Sequence, residues 1–188
     1  MLNNTGKRLA FAFLVLTFIF WLISMVSPGW LLLQHIKYNM FYMERCTNDK
    51  CENKEYSDFF QKTPGFKITV TFQIKCLVAL ILCAISGILV VIPTKRSTTQ
   101  YFIAVIIIPV AATLQCDLIL TTALLNIIHG PFVKFPYSIL LSGLGTLLSI
   151  VAWVICVIVY NNERNRESEN RRHRMNHTEP LPLAELAF

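Results

Sequence analysis

The chain has 188 residues, 54% of them hydrophobic, and a formal net charge of +6, with a mean hydropathy of +0.53. That length allows one domain, and that hydropathy excludes a disordered chain and a soluble domain whose helices need polar faces. The charge does not point to nucleic acid, because the Lys and Arg residues flank apolar runs and form no basic face.

In chain order, a short polar segment (1–8) carries Lys7 and Arg8 and leads into the first of four apolar runs, about Leu9–Val26. The others are about Ile68–Ile92, Tyr101–Ile128 and Pro136–Tyr160. A helix needs roughly 20 apolar residues to cross a ~30 Å hydrocarbon core, and continuous apolar runs lack the alternation of a membrane barrel. The prediction is an all-α membrane protein, a four-transmembrane-helix bundle over 9–160. After the first run, Ser24-Met25-Val26-Ser27-Pro28 lacks a small-x-small cleavage site, so this helix is read as a retained anchor.

A large loop of about 27–67 follows. Trp30–Leu33 and Phe41–Met43 are apolar and aromatic enough for strands, Thr47-Asn48-Asp49-Lys50 is turn chemistry, and the polar remainder up to Pro64-Gly65 is expected to be irregular. The next two connections are short, which makes the second, third and fourth helices antiparallel neighbours. Basic residues at Lys7 and Arg8, at Lys95 and Arg96, and at Arg164, Arg166, Arg171, Arg172 and Arg174 place both termini in the cytosol. The loop also carries six basic residues, accompanied by five acidic ones. Its cysteines decide the matter, since paired cysteines belong on the oxidising side.

Of six cysteines, Cys76, Cys83, Cys116 and Cys156 fall within apolar runs and read as small buried hydrophobes. Cys46 and Cys51 bracket the turn. A disulfide closing so short a loop is worth about 2 kcal/mol on the chain-entropy model. Two free thiols or a metal site are the alternatives, and no His follows at ligand spacing.

A transmembrane run, Trp30 beyond its end, the aromatic stretch Phe41-Tyr42-Met43 before Cys46, then Cys51 and three closely linked helices resemble the peripheral myelin protein, epithelial membrane protein and claudin superfamily. Phe41-Tyr42-Met43-Glu44-Arg45-Cys46 stands where that superfamily has Gly-Leu-Trp-x-x-Cys, so the chain resembles a divergent member. The resemblance implies a left-handed bundle under a small, disulfide-stapled extracellular β-sheet. It also implies a non-enzymatic role in organising membrane or cell–cell contacts at the plasma membrane. Trp30, Phe41, Tyr42 and Met43 would form the extracellular contact surface. The alternative is an auxiliary subunit that modulates gating or trafficking of a channel or receptor.

Catalysis has no candidate residues: the sequence holds no Ser-His-Asp set, zinc-binding histidine pair or phosphate-cradling glycine loop, and no cofactor or metal is expected. Two intramembrane charges, Lys75 and Asp117, lie at comparable depths on adjacent helices and are expected to pair, with a partner helix or an ion path as the sharper reading of Asp117. On the fourth helix Ser138, Ser142, Thr146 and Ser149 run beside Gly143 and Gly145, a spacing that suits close helix packing. Pro109 is expected to bend the third helix and free a carbonyl for a neighbouring side chain. After Tyr160 the composition turns polar and basic, so 161–188 is read as a disordered cytosolic tail. Leu186 and Phe188 have the spacing of a PDZ-type C-terminus, a candidate contact for a cytosolic scaffold. The expected partners are membrane lipid and other membrane proteins, either further copies of the chain or a channel or receptor.

Overall fold

The structure is a computed structural model and describes residues 2–27, 29–33, 36–47, 50–55, 64–92, 97–129 and 137–177. Four helices, α1 (Leu2–Val26), α2 (Pro64–Val91), α3 (Ser97–His129) and α4 (Tyr137–His177), account for most of it. All four are long and apolar enough to cross a membrane. Each packs on two others in the cyclic order α1, α2, α3, α4, which closes a bundle.

The distribution of side chains is what lipid demands. Leu16, Ile81, Leu120, Ile127 and Leu147 face outward, whereas Thr17, Ser24, Ser86, Gln115, Ser138, Ser142 and Ser149 are buried among Trp21, Ile108, Leu118, Ala104 and Ala152. Without water outside the helices, packing of small residues and interhelical hydrogen bonds hold such a bundle together. The α1–α4 seam displays both. Thr17 Oγ1 donates to the Gly145 carbonyl at 3.1 Å, Trp21 Nε1 to the Ser142 carbonyl at 3.3 Å and Ser24 Oγ to the Ser138 carbonyl at 2.7 Å. Donors ascend α1 as acceptors descend α4, so the two helices run antiparallel. The small residues of α4 therefore serve packing within the bundle: Ser138, Ser142, Gly145, Thr146 and Ser149 are buried, and Gly143 has nothing within 4 Å of a Cβ position.

Pro109 lies inside α3. Proline has no N–H to give the carbonyl four residues back, and that carbonyl, on Val105, accepts from Trp153 Nε1 of α4 at 2.9 Å.

At the end of the bundle that carries the N-terminus, one cluster touches all four helices. Lys7 Nζ of α1 is 3.1 Å from Glu163 Oε1 of α4 and 5.0 Å from the centre of the Tyr101 ring of α3. The Tyr101 hydroxyl donates to the Val90 carbonyl of α2 at 3.2 Å. Thr98 Oγ1 donates to Glu167 Oε1 one turn further along α4. This corrects the expected disorder after Tyr160, because α4 continues to His177. Glu163 and Glu167, four residues apart, fall on one face and grip α1 and α3, and the Glu167/Arg171 and Glu169/Arg172 spacings favour further helix. Residues 178–188 lie outside the described part.

At the other end four strands pair as an antiparallel meander, β1 (Leu31–Leu33), β2 (Ile36–Tyr38), β3 (Tyr42–Thr47) and β4 (Lys50–Glu55). Ile36–Tyr38 and Lys50–Glu55 differ from the sequence reading, which placed no strand there. Backbone pairing with β3 supplies what their own composition lacks, in a register that sets Lys37 opposite Glu44 and Met43 opposite Lys54.

Candidate functional site

The end of the bundle bearing the sheet holds most of the residues that the sequence singles out. Its geometry follows from the C-terminus of α1, where a helix leaves its last carbonyls without intrahelical donors. The Ile23 carbonyl takes the Ser27 N–H at 2.9 Å. The Ser24 carbonyl takes Trp30 Nε1 at 2.7 Å, and the Val26 carbonyl takes Asn39 Nδ2 at 2.6 Å. Ser138 Oγ of α4 donates to the Ser27 carbonyl at 3.3 Å. Side chains from the loop and from α4 thus cap α1. Gly29 makes the exit, with φ 119° and a Cβ position only 3.1 Å from Tyr137 Cε1, a conformation and a space that suit glycine alone.

Trp30 is accordingly a correction. Expected on a presented surface, it is 2% exposed. An indole has a large apolar body and one N–H that needs an acceptor when buried, and the orphan carbonyl of Ser24 provides it. Trp30 fastens the loop to the bundle.

Asn39, which sequence reasoning passed over, organises the turn between β2 and β3. Its backbone N–H donates to the Tyr42 carbonyl at 2.9 Å, its Oδ1 accepts from the Phe41 N–H at 3.1 Å, and its Nδ2 reaches α1. Such local side-chain bonds are the reason Asn is favoured in turns. The signal was Tyr38-Asn39-Met40 between two short apolar segments. From α2, Gln73 Nε2 donates to the Met40 carbonyl at 2.6 Å, and Met40 is buried. The turn is therefore tied to α1 and to α2. Next to it Phe41 is 41% exposed, and Tyr42 is half-buried. Met43 lies on β3 opposite Lys54, its side chain outside the described ones.

The register pairs Cys46 directly with Cys51 across β3 and β4, and both side chains lie outside the described ones. The other four cysteines are free thiols: Cys76, Cys83 and Cys156 are buried and Cys116 is exposed. Among the described residues no group of His, Cys, Asp and Glu could hold a metal ion. Leu186 and Phe188 lie outside the described residues.

Within the spans, Lys75 Nζ of α2 meets Asp117 Oδ2 of α3 at 2.5 Å. Their side chains remain 33% and 53% exposed, so the pair sits on the outer surface of the bundle. Gln115, also on α3, instead points inward, donating to Cys76 Sγ at 3.9 Å. On another side, between α1 and α2, an open apolar groove of about 200 Å³ is lined by Phe11, Leu14, Phe18, Cys83 and Gly87 among others. It offers no fixed polar group to orient a ligand.

No known family model matches this chain, and no characterised protein is significantly similar to it.

Proposed function

We propose that this protein is a non-enzymatic, claudin-like, multi-pass protein of the plasma membrane that makes contacts through its first loop, with both termini cytosolic. The observation that carries the reading is the mounting of the β2–β3 turn. Asn39, Met40 and Trp30 are fixed to α1 and α2 by hydrogen bonds of 2.6–2.7 Å, while the adjacent Phe41 is left exposed. A rigidly held, solvent-facing aromatic is what a contact site needs, since little ordering entropy is lost when a partner covers it. The contact surface is then Phe41, Tyr42 and Met43, without Trp30.

The basic flanks of the helices and the cysteine pair support this sidedness. Directly opposed antiparallel residues have Cα atoms about 4.5–5.5 Å apart, inside the range a disulfide spans. A Cys46–Cys51 bond would lock the β3–β4 hairpin on an oxidising, extracellular face.

The test is Phe41→Ser with Tyr42→Ser in the full chain, expressed in cells co-cultured with cells lacking it. Enrichment at contacts between two expressing cells is expected for the natural chain and loss of that enrichment for the variant, at equal surface abundance. Enrichment unaffected by the substitutions would overturn the reading. Stoichiometric co-purification of a channel or receptor would mark an auxiliary subunit instead.

A further inference from the structure

We propose that the chain forms a two-fold dimer within the membrane through the α2/α3 face that carries Lys75 and Asp117. The inference rests on the helices spanning a membrane and is independent of what the loop contacts.

Lys75 lies seven residues inside the apolar run that begins at Ile68, and Asp117 eleven residues inside the one that ends at Ile128, or about 10.5 and 16.5 Å along the helices at 1.5 Å per residue. Both are thus at hydrocarbon depth. Charged side chains there normally face the interior of a bundle. These face outward, with 53% of the Asp117 side chain uncovered. Their bonding is also incomplete. An ammonium has three donors and a carboxylate two acceptor oxygens, yet among the described residues the pair makes a single contact, Nζ to Oδ2. Two ammonium donors and Oδ1 remain.

Charge complementarity selects the occupant. The patch carries one cation and one anion side by side at one level. A two-fold axis along the membrane normal superposes left on right, which sets Lys75 of each copy against Asp117 of the other. The result is a closed ring of four alternating charges. Each ammonium gains a second carboxylate and each Oδ1 a donor, and the exposed charge is covered by its own complement. An isologous interface requires exactly such self-complementary patches. Thr113, exposed one turn from Asp117 on α3, and the half-exposed Thr121, one turn to the other side, extend the strip with small side chains that allow close helix approach.

The test uses two differently tagged full-length chains in lipid nanodiscs or mild detergent. One carries Lys75→Met and the other Asp117→Asn. Mixed together they restore one cross-pair, whereas either alone restores none, so mixed capture at least tenfold above either self-capture is expected. The double variant Lys75→Met/Asp117→Asn should be monomeric. Where these variants fail to fold, oxidative crosslinking in a Cys116→Ser background that keeps both charges decides. Thr121→Cys should give a dimer and Leu147→Cys, exposed on α4, should not. Mixed capture equal to self-capture, dimers from the double variant, crosslinking no better at 121 than at 147, or a different membrane protein found on this face would each overturn the proposal.

Discussion

Trp21 lies against Gly145 so closely that a Cβ on the glycine would stand 2.6 Å from the indole Cδ1 and 2.8 Å from Nε1. The fully buried Trp21 is thus the knob, and the bare backbone of α4 at Gly145 the hole, at the centre of the seam that also holds the Thr17, Trp21 and Ser24 hydrogen bonds.

Gly145→Ala should push Trp21 away and lengthen the bond to the Ser142 carbonyl. Overpacking of this kind costs about 1–3 kcal/mol, and a lower thermal midpoint in detergent is the expected reading. Gly143→Ala is the matched control. Nothing lies within 4 Å of its Cβ position, and alanine favours helix over glycine by about 1 kcal/mol, so its midpoint should hold or rise.

The Pro109, Val105 and Trp153 arrangement predicts a double-mutant cycle. Trp153→Phe removes the donor to a carbonyl that has no helical partner, a loss of about 1 kcal/mol. Pro109→Ala restores the helical N–H. The Trp153 substitution should therefore cost clearly less in the Pro109→Ala background, and equal costs in both backgrounds would show that the indole bond does not compensate for the proline.

Asn39→Ala removes the turn bond to the Phe41 N–H and the cap on Val26 together. The helices have their own seams, so the bundle should survive while the sheet loosens. Limited proteolysis should cut the substituted chain several times faster between residues 28 and 63, with protection of the spans unchanged. Uniform loss of protection would mean that the sheet and bundle unfold as one unit.

Peptide mapping of the folded protein without reduction should recover Cys46 and Cys51 joined, a bond that the opposed register permits. Recovery of both as alkylatable thiols in folded protein would remove the hairpin lock and the main argument for an extracellular loop. Cys116, exposed on the outer surface of α3, should react with small apolar thiol reagents sooner than the buried Cys76, Cys83 and Cys156.

Hydropathy alone determined the four membrane-length helices, because crossing lipid imposes a length and a composition that any single segment must meet by itself. Helix spacing brought Lys75 and Asp117 to similar depths on neighbouring helices, and the missing N–H of Pro109 marked a carbonyl in need of a donor. The identity of that donor, Trp153, was not legible, because it depends on which face of α4 meets α3. The same reason hid the rest. Trp30 reads as a surface aromatic until the orphan carbonyl of Ser24 lies beside it, and Asn39 reads as an ordinary turn residue until Val26 comes within 2.6 Å. Residues 161–177 read as polar tail until Glu163 and Glu167 find Lys7 and Thr98 on other helices. Span and depth are properties of one segment in its solvent, whereas the satisfaction of a buried carbonyl or a stranded charge needs two segments to meet, and only the tertiary structure decides which ones do.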